Sequence, residues 1–287
     1  DYPGLDGSCV DQTYVSLMNE TLNSEPGEVF VYSDLGFITL QYVVGAIVFR
    51  HRDELVTFND VVESPYCHDM TYDEYSTQEN ISPLGLNCYF ETFVRSKIFH
   101  FDISDGNNDG ASGNLDISDG NNDGASGNLS PVLLMPSTRY MSIDCTQEDR
   151  VRCAPTLNDT IGNPNCYTNT RIQGYVSDGD CYAMGGVCGH AGVFSTVKDI
   201  SNFLSRYLSA AIEDTGSKFF INSTTIELFT RISNSTQSSR ALGWDTNTDM
   251  VPTYGFDHSC GTMSNTSTFM HTGYAGTCIC VDIENQL

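Results

Sequence analysis

The sequence predicts an α+β protein, with a mostly helical lobe over residues 1–238 and antiparallel strands over 239–287. Three observations carry this expectation. The apolar stretch Phe37–Phe49 suits a helix and is too short to span a bilayer. Ile200, Phe203, Leu204, Tyr207, Leu208 and Ala211 follow the i, i+3, i+4, i+7 spacing of an amphipathic helix. From Arg240 onward the texture changes to short strand candidates at Ala241–Trp244, Thr268–His271 and Thr277–Asp282, the last two separated by Gly273 and Gly276.

Taken in order, residues 1–29 read as loop plus one short helix, punctuated by Pro3-Gly4 and Pro26-Gly27. Ser33 or Asp34 can cap a helix from Leu35 to about Phe49. Apolar residues nearly encircle that helix, so a buried position is expected even though it contains Gln41. Residues 50–90 read as polar and irregular, and Phe90–Phe99 as a short helix with Phe90, Phe93, Val94 and Ile98 on one side. Residues 102–115 then recur unchanged as 116–129, an Asp/Asn/Gly-rich composition that cannot build a core and reads as a solvated insertion. Asp105, Asn107, Asp109 and Gly110 fit the opening of a calcium loop, with Asp116 at its twelfth position. Ser112 stands where an apolar residue is needed, no helices flank the loop, and the second copy ends on Ser130, so calcium is not the reading adopted. Residues 130–183 are loop-rich. Thr196 and Asp199 are spaced as an acidic capping box before the 200–211 helix, and a second short helix is expected near Thr224–Phe229.

Composition narrows the setting. The 287 residues are ordinary in apolar and charged content but carry a net charge of -24. So acidic a surface repels phosphate backbones and anionic lipid, which argues against a nucleic-acid partner. Eleven cysteines, without a Cys-x-x-Cys or zinc spacing, point to disulfides in an extracellular or other oxidising compartment. Cys278 and Cys280 lie two apart on a candidate strand, share a face, and are expected to pair elsewhere. Sequons beginning at Asn19, Asn80, Asn128, Asn158, Asn222, Asn234 and Asn265 agree with secretion. The opening Asp1-Tyr2-Pro3-Gly4 has no signal-peptide pattern, which fits a fragment as well as a mature form.

Three motifs carry chemistry: Tyr32-Ser33-Asp34, the block Gly185-Gly186-Val187-Cys188-Gly189-His190-Ala191-Gly192, and His271-Thr272-Gly273, the last preceded by Ala241-Leu242-Gly243-Trp244-Asp245. In this order they resemble the serine β-lactamase, penicillin-binding-protein and class-C-type esterase superfamily. The Gly block is similar to the penicillin-binding-protein 4B-like branch. The resemblance implies a β-lactamase/transpeptidase-like fold and a metal-free, cofactor-free serine hydrolase acting on an ester, amide or D-Ala-type peptide through an acyl-enzyme. It further implies a base or proton relay at Tyr32 and a loop-fixing or substrate contact at Asp34. His271 with Thr272 and Gly273 would sit beside the substrate, the Tyr274 amide would serve an oxyanion hole, and His190 would line the cleft.

The superfamily's Ser-x-x-Lys should precede Tyr32, and residues 1–31 contain none. Ser195-Thr196-Val197-Lys198 satisfies the pattern but follows Tyr32, where the family has a helix start, so Ser195 and Thr196 read as caps. The expectation is therefore a chain cut at both ends, with the nucleophile helix and closing strand absent, inactive alone although the full-length protein is an enzyme. The alternative is a non-catalytic extracellular binding module on the same fold.

Overall fold

The computed structural model of the chain describes residues 8–101, 133–142, 145–157, 172–212, 221–247, 260–261 and 264–287. The repeated 102–129 segment, and with it the calcium question, lies outside the described residues. The architecture is α+β. Ten α-helices are described: α1 (Ser8–Asn19), α2 (Asp34–Arg50), α3 (Arg52–Leu55), α4 (Phe58–Val62), α5 (Tyr72–Thr77), α6 (Pro83–Phe93), α7 (Gln147–Arg152), α8 (Gly179–Ala183), α9 (Val197–Ile212) and α10 (Ser223–Thr230). The strands are β1 (Arg139–Tyr140), β2 (Val193–Phe194), β3 (Asp245–Thr246), β4 (Phe269–Thr272) and β5 (Cys278–Val281). β1 pairs with β2, and β3-β4-β5 form a second antiparallel sheet in which His271 faces Ile279 and Thr272 faces Cys278.

Residues 50–90 are helical rather than irregular. The signal was in the caps. Thr57 with Asp60, and Thr71 with Glu74, form reciprocal capping boxes that start α4 and α5. Ser82 caps α6 through the Gly85 amide, with Pro83 in the first turn. α6 then runs directly into a π-helical segment, Val94–Phe99, so the helix expected at 90–99 is the end of a longer one. α6 supplies all three hydrophobic clusters: Leu86 joins Val10, Ile38 and Tyr42, Cys88 and Tyr89 join Val48, Phe49 and Val61, and Phe90 joins Phe99 and Tyr140.

α2 packs on α6, and the contact is backbone-close. A Cβ on Gly45 would overlap the Leu86 carbonyl, which is why a residue poor for helices sits in mid-helix. Only one face of α2 is buried, through Ile38, Gln41, Tyr42, Gly45, Val48 and Phe49. Leu40, Val43 and Ile47 on the other face are exposed, which corrects the expectation of a helix buried all round. Ser33 caps α2 by position but makes no side-chain capping bond.

Three disulfides occur among the described residues, Cys67–Cys88, Cys181–Cys188 and Cys260–Cys280. Of the two strand cysteines expected to pair elsewhere, only Cys280 does. No helix among the described residues is long and apolar enough to cross a membrane. No cluster of three or more His, Cys, Asp or Glu placed to hold a metal occurs among them either.

Candidate active site

Two distant segments are drawn together before the site forms. After α10, Gln237 donates Nε2–H bonds to the carbonyls of Gly27 and Glu28, at 3.0 and 2.6 Å. That clamps the approach to α2 against the loop leading into the sheet. The loop is fixed in turn by Ser233 N–H to the Arg240 carbonyl, Leu242 N–H to the Phe229 carbonyl and Ala241 N–H to the Trp244 carbonyl. Behind it, Trp244 meets Phe269 edge to face at 4.8 Å between ring centres, and Tyr207 of α9 packs on both rings. β3 begins only at Asp245, because residues 241–244 form this bend, with Gly243 at φ +85°, rather than the strand expected there.

Between these segments lies a cleft of about 260 Å³. Phe30 to Ser33, then Gly36, Phe37 and Leu40 of α2, form one wall, and Arg240, Gly243, Trp244 and His271 the other. Tyr32 and His271, far apart in the chain, thus share one cavity, and Arg240 joins them. Its guanidinium lies 5.1 Å from the Tyr32 ring centre, and its Nη1 lies 3.2 Å from His271 Nε2. A guanidinium can only donate, so Nε2 accepts, and the His271 proton sits on Nδ1, which donates to the Thr272 carbonyl at 2.8 Å. Arg240 thus brings a fixed positive charge into the cleft against the His271 ring. Arg240 is oriented by Asp245, whose Oδ2 lies 3.2 Å from its Nε, and Asp245 accepts from Ser239 Oγ and the Thr246 amide through its other oxygen. Sequence reading missed Arg240. The available signal was weak: an arginine in a loop, five residues before an aspartate.

The remaining candidates lie around this centre rather than in it. Asp34 is the first residue of α2 and exposed, one position past the cleft wall at Ser33. Thr272 contributes its carbonyl to His271. Gly273 donates its N–H to the Thr277 carbonyl at 2.7 Å, and a side chain there would collide with the Thr277 hydroxyl. Tyr274 heads the β4–β5 turn, a residue 96% exposed and outside the cleft lining.

The Gly block packs on α2 away from the cleft. Gly189 is pressed against the Phe37 carbonyl, its N–H donating to Gln41 Oε1 at 2.8 Å. Gln41 Nε2 donates to Asn87 and to the Val187 carbonyl. A buried polar residue in an apolar helix is thus satisfied by the loop it anchors. His190 lies in this block, not in the cleft lining; its Nε2 is 2.8 Å from Asp178 Oδ1, and Asp178 caps α8 through the Cys181 amide. Burial opposes the charged form of His190, but the hydrogen bond and charge of Asp178 outweigh it and hold the pKa above the usual histidine value. Burial likewise raises Asp178, and its bonds to His190 and to the Cys181 amide more than offset that, leaving it below the usual carboxylate range.

Ser195 stands apart from all of this. Its Oγ lies 2.6 Å from Thr138 Oγ1, and Thr138 also donates to Asp199. Thr196 Oγ1 accepts from the Asp199 amide, while the Asp199 carboxylate turns to Ser137 and Thr138, so the expected box is only half formed. Among the described residues lining the cleft, Tyr32 and Ser33 carry the only side-chain hydroxyls, and none is a lysine.

The chain is 34% identical over 135 residues to a protein named "Putative D-alanyl-D-alanine carboxypeptidase" from Escherichia coli strain K12, covering 46% of this chain and 29% of that protein. Proteins of the same name from Escherichia coli O157:H7 and Salmonella agona match at 33% and 34% identity, over the same shares of the two chains. The chain thus spans under a third of the length of these curated relatives. No family model and no solved structure matches. Over the matched stretch, this chain is similar to members of the penicillin-binding and β-lactamase-type superfamily.

Proposed function

We propose that the Tyr32–Arg240–His271 cleft is the substrate-binding half of a β-lactamase-related serine hydrolase with a transpeptidase-like fold. The observation that carries this reading is the meeting of Tyr32 and His271 in one cavity, since nothing in helix or strand periodicity requires it. The whole protein would act on a D-Ala-type peptide, or a related ester or amide, through an acyl-enzyme. Tyr32, with its ring beside a guanidinium, would relay the proton of a serine nucleophile. Arg240, displayed by His271 and Asp245, would meet the substrate's anionic end by charge-assisted hydrogen bonds. Asp34 and the Thr272-Gly273 segment would border the bound peptide, and the Tyr274 amide would face the developing oxyanion. Among the described residues the cleft lining supplies no Ser and Lys pair, so this chain is expected to bind without turnover. The three disulfides favour an oxidising compartment as its setting.

Trp244 lines the cleft and is the only tryptophan in the sequence, so its fluorescence reports occupancy. Titration with an acyl-D-Ala-D-Ala peptide should give a saturable change, with an acyl-L-Ala-L-Ala peptide binding more weakly. Arg240→Ala should weaken binding roughly tenfold or more, the value of one charge-assisted bond at about 1.5–3 kcal/mol. No saturable change up to millimolar peptide would count against the reading. Hydrolysis of nitrocefin or a p-nitrophenyl ester that Ser195→Ala abolishes would also overturn it, in favour of Ser195 as nucleophile.

A further inference from the structure

β5 brings three sulfur atoms into one place. Cys278 and Cys280 are two residues apart on the strand and share a face. The Sγ atoms lie 3.8 Å apart, in contact, and Cys280 is already bonded to Cys260. Cys278 is exposed and in no disulfide. An accessible thiol touching a disulfide sulfur is the arrangement from which exchange proceeds.

We propose that this cluster is a thiol–disulfide exchange site in which Cys278 attacks, Cys280 is the sulfur attacked, and Cys260 is the thiol released. Cys278 gives its proton to water, and its thiolate forms a bond to Cys280 Sγ. The Cys280–Cys260 bond breaks, and its electron pair leaves on Cys260 Sγ, which takes up a proton. One disulfide and one thiol become one disulfide and one thiol, so neither oxidant nor reductant is consumed.

Geometry sets the resting side of this exchange. The Cα atoms of Cys260 and Cys280 are 5.9 Å apart, in the middle of the disulfide range. Two residues along a strand span about 6.6 Å, near the upper end of that range at ~6.8 Å. Cys260–Cys280 is therefore the major isomer, and Cys278–Cys280 a minor one that is drawn off when a thiol-reactive small molecule captures Cys260. Exchange replaces a tie between β5 and the segment at 260–261 by one within β5. Cys278 is also the register partner of Thr272, so the exchange takes place beside the strand that carries His271. The inference does not depend on the hydrolase reading.

The test is disulfide mapping of the folded chain. The protein is held without added thiol or oxygen at pH 6.0 and pH 8.5, quenched in acid, blocked with N-ethylmaleimide and digested for mass spectrometry. The thiolate is the attacking form, so the proposal predicts a Cys278–Cys280-linked peptide together with labelled Cys260, both appearing faster at the higher pH. Cys278→Ser, at an exposed position, should leave Cys260 unlabelled throughout. Label on Cys278 and none on Cys260 in the wild-type protein at both pH values would overturn the proposal. So would equal labelling of Cys260 in the wild type and in Cys278→Ser, because another thiol would then be the attacker.

Discussion

Arg240 shows how one side chain can define a site that its sequence neighbourhood does not announce. It donates to His271, stacks near Tyr32 and is itself steered by Asp245. The flanking motifs are short fixed patterns in the sequence, whereas Arg240 belongs to no pattern and reaches the cleft only because the 237–244 loop folds back on residues 27–33. His190 is the converse. Its motif suggested a cleft residue, but its partner is Asp178. The raised His190 pKa means that its contribution to stability is full below the unfolded value of ~6.5 and is lost as pH rises through the folded one. The lowered Asp178 pKa means that its contribution is present above ~3.9 and is lost as pH falls through its folded value. The pair is thus most stabilising between about pH 4 and 6.5. Denaturant unfolding of His190→Gln should show its largest deficit against wild type near pH 5.5 and a smaller one at pH 9. A deficit that is constant with pH would remove the charged pair from the explanation.

At the level of elements, long strongly periodic helices were legible in the sequence and short capped ones were not. α2 and α9 follow from their apolar spacing to within a few residues at each end. α3, α4 and α5 have four to six residues each, too few for a period to register; the evidence for α4 and α5 lies in Thr57, Thr71 and the acidic residues that answer them, and α3 has no side-chain cap. The exposed face of α2 was misjudged because composition alone cannot say which side of an apolar helix meets the core. What orients α2 is its crossing with α6. Gly45→Ala forces a methyl into the Leu86 carbonyl, and relief requires the two helices to separate. A loss of about 1–3 kcal/mol in chemical unfolding is expected, the range for overpacking a tight contact, even though alanine is the better helix former. A neutral or stabilising result would mean that the crossing yields easily.

For the molecule as a whole, α2 with the segment before it, and the 240–244 bend with β4, contribute opposite walls of one cleft, and a single guanidinium connects them. That connection joins Tyr32 and His271, far apart in the chain, across one cavity. It also makes a quantitative demand. Residues that touch nothing in common act additively, within about 0.3–0.5 kcal/mol, whereas residues sharing a partner do not. The most direct measurement is a double-mutant cycle with Tyr32→Ala and His271→Ala, reading acyl-D-Ala-D-Ala affinity from Trp244 fluorescence. Coupling through Arg240 predicts that the double variant departs from the sum of the singles by at least about 0.5 kcal/mol. Strict additivity, or no peptide binding by the wild-type chain, would contradict the account.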